Sequence, residues 1–218
     1  MSDSTACIGF WAAILSALFG TCFSAVALLA NFTALLPSAW VNALSFAPSI
    51  LLAWCYLVLM ACVLDAAPPN RKVWAMLGFG FALLYSTINS IVYFVQLVVV
   101  IPRVLRNEGQ SVALLLFEPQ SFMLSMNGLA YGLMSIAALF ASGVFTRPSL
   151  ESITQRTMQA HGLLAPFIVG AVVWPQLTYI GSLWIVTFPA MTISLGLFFR
   201  RSQARQSASN QPLQWTRR

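Results

Sequence analysis

The chain has 218 residues, of which 59% are apolar and 7% charged, with a formal net charge of +6 and a mean hydropathy of +0.82. A soluble domain carries about 25% charged residues, so these proportions exclude an ordinary water-facing surface and make hydrocarbon the solvent for most of this one. At roughly 20 residues per crossing plus short loops, about six spans fit.

The first expected span covers about 8–30. No Lys or Arg precedes it, so it reads as a retained span rather than a secretory leader, which starts with a basic stretch. A charge-free loop follows with Asn31, Pro37, Trp40 and Asn42. Trp40 suits a membrane–water boundary. Asn31-Phe32-Thr33 matches a glycosylation sequon but abuts the span's end and reads as chance. The second span covers about 46–64, with Pro48 in its first turn, where a missing N–H is tolerated. Asp65 to Lys72 is a breaker-rich loop with two positive charges. The third span runs from about 73 to 101, long enough to tilt or protrude, and Pro102 is expected to end it.

After the polar loop 103–110, the stretch Val112 to Phe117 is apolar but too short to cross, and either lies in the interface or starts the fourth span early. Glu118-Pro119 looks like a helix start, with an acid at the positive dipole end and proline in the first turn. It opens a fourth span over about 120–145. Ser149 is a fair N-cap with Glu151 in the next turn, for a helix that would enter the bilayer near His161. The fifth span covers about 162–174, short unless it borrows residues from that helix, and Pro175 ends it. The sixth covers about 179–199, with Pro189 as a kink. The tail 200–218, rich in Ser, Gln and Arg, is expected to be disordered. The fold class expected is all-α: a polytopic membrane helix bundle of about six transmembrane helices.

Six spans put both termini on one side. With the termini, the second-to-third loop and the fourth-to-fifth loop in the cytoplasm, nine basic residues lie inside: Arg71, Lys72, Arg147, Arg156, Arg200, Arg201, Arg205, Arg217 and Arg218. Only Arg103 and Arg106 lie outside, the asymmetry that the positive-inside rule requires. Beside hydrocarbon spans, the basic tail points to anionic lipid headgroups rather than nucleic acid. A homo-oligomer or a membrane partner fits the same surface. Tyr85 to Phe94 and Tyr179 to Phe188 share a Y-x5-I-V-x-F pattern. It is either chance or the trace of a 3+3 inverted repeat of the kind found in transporters.

The third span carries the clearest chemical signal. Ser86, Asn89, Tyr93 and Gln96 recur at spacings of 3, 4 and 3, which puts four hydrogen-bonding side chains on one helical face. An amide facing lipid would go unpaired at a cost of several kcal/mol. The stripe must therefore meet other helices or water, either as interhelical glue or as the wall of a polar cavity. Val92 and Val99 are expected on the lipid side. In the fourth span, Gly128 and Gly132 form a close-packing pair within a run of small residues, and Asn127 lies beside it as a second polar candidate. Ser16, Gly20 and Ser24 repeat the small-residue spacing in the first span, so the first and fourth spans are expected to form the tight centre of the bundle.

Charge inside the membrane is nearly absent, although pumps and proton-coupled transporters bury carboxylates. Glu118, between two apolar stretches and near Arg103 or Arg106, is the candidate buried acid. His161, the only histidine, reads as an interfacial polar residue. Cys7, Cys22, Cys55 and Cys62 form no CxxC pair and read as packing residues. No metal or cofactor set and no enzyme signature emerges.

Three stretches, NSIVYFVQLVVVIP (89–102), ALLLFEPQSF (113–122) and WPQLTYIGSLWIVTFP (174–189), together resemble a loosely defined group of bacterial multi-span membrane proteins with no assigned activity. The resemblance covers most of the chain apart from the tail and implies a bacterial plasma membrane. It adds no site residue. The function expected is binding or movement of a small uncharged or weakly polar solute through a cavity lined by the third span. The alternative is a non-catalytic scaffold or partner subunit in which the same stripe is buried dry.

Overall fold

A computed structural model describes residues 1–32, 38–146 and 150–209. Arg147, Ser149, Thr33, Arg217 and Arg218 lie outside the described residues. Within them the chain is all-helical, with no strand. The helices are α1 (Asp3–Phe32), α2 (Ser38–Ala66), α3 (Lys72–Val95), α4 (Ile101–Leu105), α5 (Phe122–Ala141), α6 (Leu150–Gly162), α7 (Ala165–Gly170), α8 (Thr178–Gly181) and α9 (Trp184–Ser209). Five helical stretches are long and apolar enough to cross a membrane: Asp3–Val26, Ala39–Ala66, Pro69–Leu105, Phe122–Val144 and Pro175–Arg205. Their outer faces are apolar, with Trp11, Leu29, Val73, Ile91 and Val186 all more than half exposed, a surface suited to hydrocarbon and not to water.

The segment expected as a fifth crossing is not one long helix. α6 ends at Gly162, a turn at Leu163-Leu164 follows, and α7 has only six residues. Pro166 sits in the first turn of α7, where its fixed φ starts a helix and cannot continue one. Contacts nonetheless carry this broken segment back along α5. Gly162 lies against Leu139, Gly132 against Val169, and Gly128 against Val172.

Several boundaries fall elsewhere than the sequence suggests, for local reasons. α2 begins at Ser38, so Pro48 is inside the helix and not in its first turn. The Ser45 and Ser49 hydroxyls on either side of it donate back to the carbonyls of Val41 and Ser45, one turn earlier in the same helix. The third helix does not stop at Pro102. It passes through a π-helical turn, Gln96–Val100, closed by the Ile101 N–H on the Gln96 carbonyl, and continues to Leu105. Widening the turn before a proline relieves the clash of its ring with the carbonyls below. The true stop is Asn107, left-handed at φ 62°. The Asn107 and Glu108 N–H groups return to the carbonyls of Val104 and Arg103, a Schellman closure.

α5 starts at Phe122, later than Glu118-Pro119. Gln120 is left-handed (φ 63°), and Ser121 caps the helix by accepting from the Leu124 N–H at 3.1 Å. The stretch 109–115 is a short 3-10 segment kinked at Val112 (φ −126°), separate from α5, with Leu114 87% exposed and Val112 buried. At the other extreme the tail is not disordered from residue 200, because α9 continues to Ser209. Arg, Gln and Ala are good helix formers, and extending an existing helix needs no new nucleus.

α1 packs on α2 and α9, while α5 packs on α3, α6 and α7. The small residues of the first and fourth spans therefore serve different partners, contrary to the expected α1–α5 centre. Gly20 admits the Phe188 ring and Gly9 the Phe199 ring, both from α9. Tyr85 to Phe94 lies in unbroken α3 with Tyr85 buried, whereas Tyr179 to Phe188 straddles the α8–α9 break with Tyr179 83% exposed. The shared pattern thus falls in unlike structures and gives no repeat.

The backbones of α3 and α5 approach closely at Gly78. A Cβ on Gly78 would sit 2.7 Å from Ala141 Cβ and 3.0 Å from the Ala137 carbonyl oxygen, while at Gly80, half a turn away, it would meet nothing within 4 Å. Gly78→Ala is therefore expected to lose about 1–3 kcal/mol by overpacking. Gly80→Ala is expected to be neutral or to gain up to about 1 kcal/mol from helix propensity. Thermal unfolding of the two variants in the same detergent measures the contrast.

Candidate functional site

All four residues of the third-helix stripe turn inward: Ser86 is 4% exposed, Asn89 and Tyr93 0%, and Gln96 1%. They do not form one open wall. Asn89 and Tyr93 join residues from two other helices. Asn89 Nδ2 donates to the Ser49 carbonyl of α2 at 3.2 Å. The Tyr93 and Tyr131 hydroxyls lie 3.3 Å apart, and the Ser49 hydroxyl faces both phenols. This neutral polar node ties α2, α3 and α5 together. Val92, expected on the lipid side, is 2% exposed, because α3 is flanked by both α2 and α5 and its buried arc is wider than the stripe. Asn127 lies one turn from Tyr131 on the same face of α5, half-buried, with its Oδ1 unpartnered.

Aromatic rings enclose the node. Phe46 stacks on Tyr93 at 4.8 Å between centroids, and Tyr131 meets Tyr85 at 5.8 Å and Trp184 at 5.4 Å. Trp184 stacks on Phe188 at 5.0 Å. Gln96 stands apart toward the end of the bundle, its Nε2 donating to the Leu115 carbonyl at 2.6 Å. There it lines a cavity of about 210 Å³ together with Asn42, Ile101, Phe117 and Glu118. Phe117 touches Phe46 at 5.0 Å, so two rings stand between this cavity and the phenol pair.

Glu118 is not a buried acid. It is exposed, because the late start of α5 leaves it in the preceding turn, where its N–H donates to Ser121 Oγ. Arg103, one expected partner, donates instead to Ser111 Oγ at 3.1 Å. His161, expected at the interface, is fully buried. Its Nδ1 pairs with Thr187 Oγ1 at 3.1 Å, its ring lies 5.5 Å from Phe188, and its Nε2 has no partner. It continues the buried face of α6 that begins at Thr154 and Met158 and packs on α9, where Thr154 and Thr157 also bond Ser194.

Among the described residues seven buried side-chain atoms have no hydrogen-bond partner: Ser16 Oγ, Tyr85 OH, Asn89 Oδ1, Asn127 Oδ1, Ser135 Oγ, His161 Nε2 and Trp184 Nε1. They are spread over α1, α3, α5, α6 and α9. Chemically the interior offers hydroxyl, amide, imidazole and indole groups and no carboxylate. It can hold a neutral polar molecule by hydrogen bonds. Among the described residues no group of three His, Cys, Asp or Glu comes together, and the four cysteines are free thiols. Ser16 and Ser24 are buried on the inner side of α1, where Ser24 Oγ donates to the Gly20 carbonyl.

The sequence pattern missed Ser49, Tyr131, Tyr85 and Trp184. Ser45 and Ser49 are one turn apart in the second span, a signal that was available. Tyr85 continues the stripe one turn before Asn89, and Tyr131 falls between Asn127 and Ser135 at spacings of 4, whereas Trp184 sits in an apolar run and gives no such signal. Compared with known protein families, curated proteins and solved structures, the chain matches none.

The Gln96 bond holds the short 3-10 helix to the bundle. Gln96→Met keeps the side-chain length and leaves the Leu115 carbonyl without its donor, a loss of about 1–3 kcal/mol where that carbonyl stays buried. Hydrogen exchange should quicken at the amides of 109–117 and stay unchanged in α2 and α5.

Proposed function

We propose that this chain crosses the membrane six times, α6 and α7 together forming the fifth crossing, and binds or passes a small uncharged or weakly polar solute through the interior lined by α3. The carrying observation is the set of seven partnerless polar atoms in the core. Interiors built only for packing pair nearly all such groups, and in hydrocarbon each unpaired one costs several kcal/mol. A solute with hydroxyl or amide groups, or the water that precedes it, would satisfy them. Nearly charge-free helices suit a neutral cargo better than an ion.

Orientation follows from charge. Contacts of Thr5 with Asp65 and of Gly9 with Phe199 gather the start of α1, the end of α2 and the end of α9 at one end, with Arg71, Lys72, Arg200, Arg201 and Arg205. Arg103 and Arg106 stand at the other. By the positive-inside rule the first end is cytoplasmic, and the resemblance of the three stretches to bacterial proteins points to a bacterial plasma membrane. A phosphatase fusion within 103–110 should be active and a fluorescent fusion after residue 209 bright. The reverse pattern would overturn the orientation.

A second reading is favoured by the dryness of the node: Asn89 and Tyr93 are wholly buried, as glue in a non-catalytic scaffold or partner subunit would be. Thiol access separates the two. After replacement of Cys7, Cys22, Cys55 and Cys62, single cysteines at Asn89 and Tyr93 should react with a membrane-impermeant reagent in intact cells. Ile91 and Val98, 58% and 56% exposed to the lipid side, should stay unlabelled. Labelling confined to Gln96, which lines the outer cavity in either case, favours the scaffold.

A further inference from the structure

A second cavity, of about 330 Å³, opens at the end that gathers the start of α1 and the end of α9, remote from the polar node. We propose that it is a binding site for the phosphate headgroup of an anionic phospholipid, held by Arg201 and Arg205. The two arginines lie four residues apart on α9, so their side chains project from one face of the helix, and both line the cavity. Guanidinium groups take phosphate oxygens two at a time. Glu151 is the one carboxylate in the lining, and two guanidiniums against it leave the wall net positive.

The rest of the wall decides the kind of anion. One turn toward the core from Arg201, Phe198 lines the same cavity, with Val144, Phe145 and Pro68 opposite. Phe145 and Phe198 meet edge to face at 5.1 Å. Along α9 the composition changes within one turn, from buried Phe199 to Arg200 and Arg201. That turn marks the membrane–water boundary, and the cavity straddles it. A free anion has no use for an apolar half-wall. A lipid needs both halves, apolar where its glycerol and acyl chains begin and cationic at its phosphate. Basic pockets between helices on the cytoplasmic side bind headgroups in this way, and the volume lies at the lower end of ordinary ligand sites, roughly 300–1,000 Å³. The Ser202 hydroxyl plays no part, since it donates to the Phe198 carbonyl.

The test compares thermal unfolding of the purified full chain in detergent after addition of phosphatidylglycerol, phosphatidylcholine or inorganic phosphate. Phosphatidylglycerol should raise the midpoint by about 5 °C near saturation, with the other two giving at most a quarter of that. Arg201→Gln with Arg205→Gln should remove at least half of the shift. Arg200→Gln loses the same kind of charge from a residue outside the cavity, and should retain the shift. Ser202→Trp keeps both arginines and fills the cavity, so it should lose the shift even if the double variant does not fold. An equal response to phosphatidylcholine, an equal response to inorganic phosphate, or equal losses from Arg200→Gln and the double variant would each overturn the proposal. These results bear on the cavity alone and leave the solute reading untouched.

Discussion

Hydrocarbon offers no hydrogen-bond partner, and the arrangement of this bundle follows from where its polar side chains can go. An amide on α3 facing lipid would stay unpaired at several kcal/mol. Asn89, Tyr93 and Gln96 therefore turn inward, and that rotation fixes which face of α3 meets α2 and α5. Once it is fixed, Gly78 comes under Ala137 and Ala141, which sets how closely α3 and α5 approach. The Asn89 amide reaches the Ser49 carbonyl and the Tyr93 phenol reaches Tyr131. Each such bond contributes roughly 0.5–2 kcal/mol. Their larger effect is to fix the register of three helices at once.

The same constraint explains how a broken segment survives beside α5 and α9. Non-helical backbone is tolerated at membrane depth only where protein or water covers it. The Leu163-Leu164 turn is closed by local backbone bonds, Leu163 N–H to Gln159 and Leu164 N–H to His161, and Gly162 lets the backbone of Leu139 come close. Glycines on α5 leave room for Val169 and Val172 of the returning chain. The α6 face that packs on α9 carries His161 into the core beside Thr187 and Phe188, so that a residue from a polar stretch of sequence lies beside an aromatic ring.

The two ends of the bundle differ in character. One gathers the start of α1, the end of α9, Arg71, Lys72, Arg200, Arg201 and Arg205, and the larger cavity. The other holds the 3-10 helix, the Gln96 contact and the smaller cavity, separated from the node by Phe46 and Phe117. A solute path in the proposed reading needs those two rings to part, and the bond between Gln96 and Leu115 lies beside them. Neither the phenol pair nor the amides carry charge, so in the proposed reading the interior recognises its solute by hydrogen bonds.

The sequence by itself determined the solvent, the helical class, the inward face of α3 and the segregation of basic residues to particular loops, because these rest on composition and on side-chain periodicity along one chain. Tertiary structure decided what depends on pairs of elements. Ser49 and Tyr131 became partners of Asn89 and Tyr93 only when three helices met. Gly128 and Gly132 serve α7 and not α1, because small residues permit close approach without naming the neighbour. Pro102 was expected to end a helix and sits inside one, because a π turn absorbs its ring, and Asn107 makes the stop. Glu118 is exposed because Ser121 takes the cap. His161 is buried because the face of α6 that it shares with Thr154 and Met158 packs on α9, and that face does not name its partner in the sequence.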